Sequence, residues 1–264
     1  MGSATREALA GTRAALAGIG RAELQAADDL LAAARVIGAT PQLRTALTDT
    51  EADGAQKRAL VEQVFGSRIA PEAVTLLVSA SSQRWSSAGD FLAGLEDLGI
   101  RLASIAAGDS VALDAQLFDF ERTVAGEAEL ELALGSKLGA AQAKTALVER
   151  LLSSNAAPAT VVIVRHLVQQ PRGRRIGQML REAAQIVADQ RGFDVATITT
   201  AVPLTTDQLA RLERSLAATA GRSIRFDTIV DPAVLGGVRI QLGDDVIDGS
   251  VATRLSDLRL QLAG

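Results

Sequence analysis

From Ser3 to about Gly192, apolar residues recur every three or four positions among Ala, Leu, Glu, Gln and Arg. That spacing is the period of a helix with one buried face. Leu9, Leu16 and Ile19 fit one stripe; Leu24, Leu30, Leu31, Val36 and Ile37 fit another. Breaks fall at Pro41, which follows the N-cap candidate Thr40, at Pro71 and Pro158, and at Gly20, Gly38, Gly66, Gly108 and Gly126. The predicted helices are mostly about 8 to 20 residues long with short links, which is the pattern of a compact antiparallel bundle and not of a coiled coil. After Gly192 the period changes. Phe193 to Val202 alternates and is β-branched, ending at Pro203. A helix follows, with Thr205 or Thr206 as N-cap, apolar Leu209, Leu212 and Leu216, and Gly221 past its end. Ser223 to Val230 reads as a second strand, Gly236 to Asp248 as a hairpin turning at Gly243–Asp244, and the residues from Ser250 as a closing helix. The expected fold is therefore mainly α: a helical bundle followed by a small β-α-β-β-α domain.

The helical region contains a repeat. Displacing the chain by 87 residues aligns Lys57, Ala59, Leu60, Val61 and Glu62 with Lys144, Ala146, Leu147, Val148 and Glu149. In the same register Ala70, Pro71 and Val74 meet Ala157, Pro158 and Val161, and Leu30, Arg35, Leu43, Ala46 and Leu47 meet Leu117, Arg122, Leu130, Ala133 and Leu134. Identities this dense, with a proline in phase, indicate a duplicated helical module. The expected organisation is residues 1–108 for copy one, 109–192 for copy two and 193–264 for the C-terminal domain. The counterpart of the first helix is Leu92 to Ala106, already the last helix of copy one. The second copy thus has no first helix of its own; it either shares this one or leaves a groove there.

Composition narrows the chemistry. With 27 basic and 31 acidic residues among 264, the chain lacks the cationic excess of a nucleic-acid binder. It has no Cys, no Tyr and one His, His166, so nucleophiles and neutral-range proton carriers are scarce. Aromatics are 3%, too few for a stacking platform. The N-terminus carries Arg6, Glu7 and Arg13, which a secretory signal would not, and no apolar run reaches membrane-spanning length. A soluble intracellular protein, held at a membrane only through partners, is expected. No phosphate cradle is present: Gly135 and Lys137 are split by Ser136, and Gly18-Ile19-Gly20 follows no strand.

The most enzyme-like feature is the cluster Asp244, Asp245 and Asp248, since convergent carboxylates can hold a hydrolytic metal. Turn and capping chemistry accounts for the same residues without a ligand and is the preferred reading; a small metal-dependent hydrolase is the alternative. His166 sits in an apolar helix and reads as a packed or surface residue and not as a catalyst. The run Arg172, Arg174, Arg175 reads as a solvated helix start, or as a contact for an acidic partner. Trp85 reads as core or cap packing, with a binding role as the second reading.

The C-terminal segment from Ile224 to Leu258 resembles the delta subunit of F-type ATP synthase, the oligomycin-sensitivity-conferring protein family. The match runs through Ile224, Phe226, Val230, Asp231 and Val234, then Gly236, Gly237, Val238, Ile240 and Gly243, and then Val246, Ile247, Asp248, Gly249 and Ser250. The helical region is similar to the family's N-terminal bundle, duplicated as in the long actinobacterial form. The resemblance implies a non-catalytic stator subunit in the peripheral stalk, without cofactor. It would lie on the cytoplasmic side of the cell membrane and join the C-terminal region of the b subunit to N-terminal helices of the α subunits. It also implies a groove between the first and fifth helices, for which copy one offers Leu9, Leu16, Val74, Leu77 and Val78; the same spacing would serve a plain bundle core.

Overall fold

The computed structural model describes residues 2–136, 140–220, 223–232, 234, 236–242 and 245–248. The helices are α1 (Ser3–Ala17), α2 (Leu24–Ala39), α3 (Pro41–Thr48), α4 (Gly54–Phe65), α5 (Pro71–Ser82), α6 (Ala88–Ala107), α7 (Leu113–Gly126), α8 (Ala128–Gly135), α9 (Ala141–Leu152), α10 (Pro158–Gln169), α11 (Ile176–Gln190) and α12 (Thr206–Ala220). The strands are β1 (Phe193–Thr200), β2 (Ser223–Val230), β3 (Val238–Leu242) and β4 (Asp245–Asp248). Residues Met1–Val187 form one compact unit and Ala188–Gly264 a second. Among the described residues no helix is long and apolar enough to cross a membrane.

In the first unit the 87-residue repeat is written in the element boundaries. Both ends of α3, α4 and α5 recur 87 residues later as the ends of α8, α9 and α10, and the end of α2 recurs as the end of α7. Single contacts recur too. The backbone N–H of Ala70 donates to Asp29 Oδ2 at 2.8 Å, and that of Ala157 donates to Gln116 Oε1 at 2.9 Å. Each satisfies one of the unpaired N–H groups at the start of a proline-initiated helix. Lys57 and its counterpart Lys144 are buried to the same extent, and Lys144 Nζ donates to the carbonyl of Ser136.

α6 is the helix common to both halves. It packs against α1, α2, α3 and α5 of the first half and against α10 of the second, and thirteen of its twenty residues are buried. Its start is capped by Ser87, whose Oγ accepts from the N–H of Asp90 at 3.0 Å. Two of its glycines admit close neighbours: a Cβ at Gly94 would lie 2.1 Å from the Trp85 ring, and one at Gly99 would lie 2.3 Å from Leu31. Trp85 donates Nε1–H to the carbonyl of Ala80 at 2.8 Å and meets Phe91 edge-on, which is a core and capping role. Thr40 does sit at the start of α3 ahead of Pro41, but its side chain makes no capping bond.

In the second unit the sheet order is β2-β1-β3-β4, with β1 and β2 parallel and the other pairs antiparallel. The β1–β2 crossover is α12, which packs on β2. Its start is a capping box: Gln208 N–H donates to Thr205 Oγ1 at 3.3 Å, and Thr205 N–H donates to Gln208 Oε1 at 2.8 Å. Ala196, Ile198, Ile224 and Ile240 form the core, with Leu204, Leu209, Leu212, Leu216, Phe226 and Val238 packed against it. The hairpin of β3 and β4 matches the sequence reading. The closing helix expected from Ser250 lies outside the described residues.

Candidate partner-binding surfaces

α1 and α5 pack side by side, and α1 is tied to the start of α6: Thr5 Oγ1 donates to Asp90 Oδ2 at 3.0 Å and accepts from Ser86 N–H at 3.2 Å. The five residues singled out in the sequence divide by depth. Leu16 and Leu77 belong to the bundle interior, while Leu9 and Val74 are half-buried and Val78 lies just under the surface. The period alone could not separate these two groups, since both lie on the inward arc of their helices. Around them α5 shows Glu72, Thr75, Ser79 and Ser82 to solvent in whole or in part.

A buried polar cluster joins the two halves. Glu96 of α6 accepts from Arg172 Nη2 at 2.7 Å and from Arg174 Nη2 at 2.9 Å, and it faces His166 Nε2 at 3.3 Å. His166 Nδ1 lies 3.2 Å from Arg35 Nη1 of α2. A guanidinium can only donate, so Nδ1 accepts and the proton sits on Nε2, facing Glu96. His166 is therefore neutral. Burial pushes its pKa below the ordinary value, with Arg35 and Arg172 acting the same way against the pull of Glu96. Burial would raise the carboxyl of Glu96, but the hydrogen bonds from His166 and Arg174 and the charge of Arg172 outweigh it and hold it at about 2. The loop that delivers the two arginines is unusual in backbone: Arg172 has φ 48° and Gly173 φ 82°. A non-glycine residue there is held by its surroundings, in this case by Glu96.

Two of the three arginines of the run are thus neither plainly solvated nor free for an acidic partner: Arg172 and Arg174 are consumed internally, while Arg175 is exposed. Glu96, Arg35 and the role of His166 were missed from the sequence. The one available signal was the pair of carboxylates Glu96 and Asp97 in the middle of a largely apolar helix.

Of the C-terminal motif residues, Gly236 and Gly237 have φ 88° and 89°, a pair of left-handed positions that turn the chain into β3 and favour glycine. Asp231 N–H donates to the carbonyl of Thr200 at 2.8 Å, closing β1 against β2, and the backbone of Asp248 pairs in register with Arg239. Gly243, Gly249 and Ser250 lie outside the described residues, as does Asp244. Asp245 and Asp248 begin and end β4. Among the described residues no group of three or more His, Asp or Glu side chains could hold a metal ion. A cleft of about 760 Å³ opens between the α1–α2 link, the start of α5 and the end of α6, bordered by Arg21, Glu23, Glu72 and Gly108.

The family model described as ATP synthase delta (OSCP) subunit matches residues 102–262. A protein of Leifsonia xyli subsp. xyli named ATP synthase subunit delta is 53% identical over the whole of both chains. One of the same name from Acidothermus cellulolyticus is 40% identical over 89% of this chain and 86% of its own. Among solved structures, a chain of the Toxoplasma gondii mitochondrial ATP synthase hexamer is similar at 22% identity and a TM-score of 0.39, over 58% of this chain and 87% of that one.

Proposed function

Because the chain belongs to the ATP synthase delta (OSCP) subunit family and is a non-catalytic subunit of that proton-translocating complex, we propose that it works in the stator. In this reading it links the catalytic head to the membrane-anchored b subunit on the cytoplasmic side of the cell membrane and resists the torque of the rotor. The single observation that carries the reading is the end-to-end match at 53% identity to a delta subunit. The physics of the chain is in keeping with it. A stator has to be stiff, and here stiffness comes from interlocked helices around α6 and a buried charged cluster that ties three helices and a loop together.

The helical unit docks an N-terminal helix of an α subunit on the face between α1 and α5. Leu9 and Val74 offer apolar surface at its rim, Val78 lies just beneath, and Leu16 and Leu77 hold the two helices together below. The C-terminal unit meets the C-terminal region of b. Two modest contacts on one subunit reinforce each other through effective concentration, so neither has to be tight.

Reconstitution tests the reading. Membranes stripped of their native delta subunit should regain ATP-driven proton pumping when the full chain is added back with the catalytic head. Leu9→Asp with Val74→Asp should lower the affinity for the head while leaving helicity unchanged. Recovery of coupling without any binding to the head would overturn it.

A further inference from the structure

We infer that the seam between α2 and α10 is an acid-sensitive latch: protonation of His166 exchanges the contacts that tie α10 to α2 for contacts within each half, releasing the seam while the helices themselves stay folded. α2 packs on α5 in the first half and on α10 in the second. At the displacement of 87 residues, Val78 and Ser79 of α5 become Arg165 and His166 of α10. At these two positions the first seam carries no charge. The second carries a cation and the one ring of the chain that titrates near neutrality.

Among the described residues two charged contacts cross this seam. Arg165 of α10 pairs with Asp28 of α2, and Nδ1 of His166 lies 3.2 Å from Nη1 of Arg35. The second contact needs a neutral ring. Once Nδ1 carries a proton it is a donor, and a guanidinium has nothing with which to accept. Arg35 must then turn elsewhere. Asp28 stands seven residues back on the same side of α2, in the direction in which helical side chains lean, and its charge already acts on Arg35. Asp28 is also the acceptor for Arg165, so drawing Arg35 onto it weakens the first contact as the second is lost. Arg165 has Glu149 of α9 at 3.7 Å to fall back on. Each cation then pairs within its own half, which gives the seam two alternative sets of partners.

The other charges around the ring keep their partners in both states. Glu96 of α6 stays with Arg172 and Arg174 and faces a proton on Nε2 whether or not Nδ1 is protonated. Glu182 of α11 is bound to Arg174, and Glu121 of α7 to Arg181. Lys144 of α9 donates to the carbonyl of Ser136, and Asp114 is buried in the first turn of α7. Burial holds the ring below its ordinary pKa, with Arg35 and Arg172 acting the same way against Glu96, so the latch is closed at neutral pH and opens on acidification.

The full chain suits the test, since it has one His and no Cys. Nitrogen NMR of the imidazole should show the proton on Nε2 at neutral pH and a single midpoint below 6.5 on acidification. Spin labels on cysteines placed at Val36, exposed on α2, and Val161, half-buried on α10, should keep one separation above that midpoint. Below it the separation should lengthen or broaden at unchanged helicity. Arg35→Met should raise the midpoint by about one unit or more, and should hold the labels at one separation throughout because nothing then competes for Asp28. His166→Gln, which keeps an acceptor for Arg35 and cannot titrate, should hold one separation as well. A midpoint at or above 6.5, a midpoint that Arg35→Met leaves in place, or a separation that stays constant across it overturns the inference. So does a change that comes only with loss of helicity. Should the Arg35→Met chain not fold, His166→Gln decides: a separation that still changes with pH overturns the inference.

Discussion

Glu96 shows how much a single side chain can organise. Removing its charge while keeping its shape, as in Glu96→Gln, leaves two guanidinium groups facing a neutral amide in a buried site, a class of change that costs about 3–5 kcal/mol. Equilibrium denaturation near neutral pH should show that loss. The cluster also fixes the pH response. His166 is held neutral with its pKa below the ordinary 6.5, so its contribution is complete above that value and declines as acidification drives the ring towards protonation. Glu96, held at about 2 against an ordinary 4.5, contributes above 4.5 and loses its contribution as pH falls from there towards 2, about 3 kcal/mol in all. Denaturation series across acid pH should therefore resolve an early decline below 6.5 and a steeper one below 4.5; the Glu96→Gln variant should lack the second. A different constraint acts at Gly94 and Gly99, where added methyl groups would collide with Trp85 and Leu31. Gly94→Ala and Gly99→Ala should each destabilise by about 1–3 kcal/mol. Gly89→Ala in the same helix, with no contact closer than 3.5 Å, should be neutral or slightly stabilising by the same measurement.

For whole elements, the sequence was most legible where one face is wet. The amphipathic stripe of α1, the β-branched alternation of β1 and the proline starts of α5 and α10 follow from local chemistry. The repeat was visible as well, and from it the absence of a first helix in the second copy. Which way that absence is resolved was not visible, because α6 violates the assumption behind helix periodicity. Its charged residues Glu96, Asp97 and Arg101 face protein, Arg101 Nε bonding Asp97 at 2.8 Å within the helix and Arg13 reaching Asp97 from α1 at 3.0 Å. The partners of Glu96 lie 70, 76 and 78 residues along the chain, beyond any local pattern. The docking candidates suffered the opposite ambiguity, since Leu16 and Leu77 share the period of Leu9 and Val74 yet lie deeper. If α6 serves both halves, they cannot open independently. Hydrogen exchange should give α2, α6 and α10 one common opening free energy, lowered in all three together by Glu96→Gln.

The whole molecule consists of a helical unit and a smaller α+β unit, each with its own core. Calorimetry should accordingly resolve two transitions, and substitutions at Glu96 should move the one belonging to the helical unit while leaving the other in place. The glycines that turn the chain into β3 belong to the second. Gly236→Val, forced into a left-handed conformation, should lower the transition of that unit alone.

The sharing of α6 has a further consequence for how such a subunit can grow. Because the closing helix of one module is also the opening helix of the next, each added module brings five new helices, so length is quantised in steps of 87 residues. The array behaves as a short solenoid, in which an interior step and a terminal step need different sequences. α6 is an interior step, buried on nearly every side; α11, buried along Ile176, Met179, Leu180, Ala183 and Ala184 but showing Arg181 and Glu182 to water, has the wet outer face of a cap. Converting the outer face of α11 into that of α6, and appending a further 87 residues, would specify a longer spacer. The length of the helical unit would then be set by counting modules, with only the outer face of the last helix redesigned.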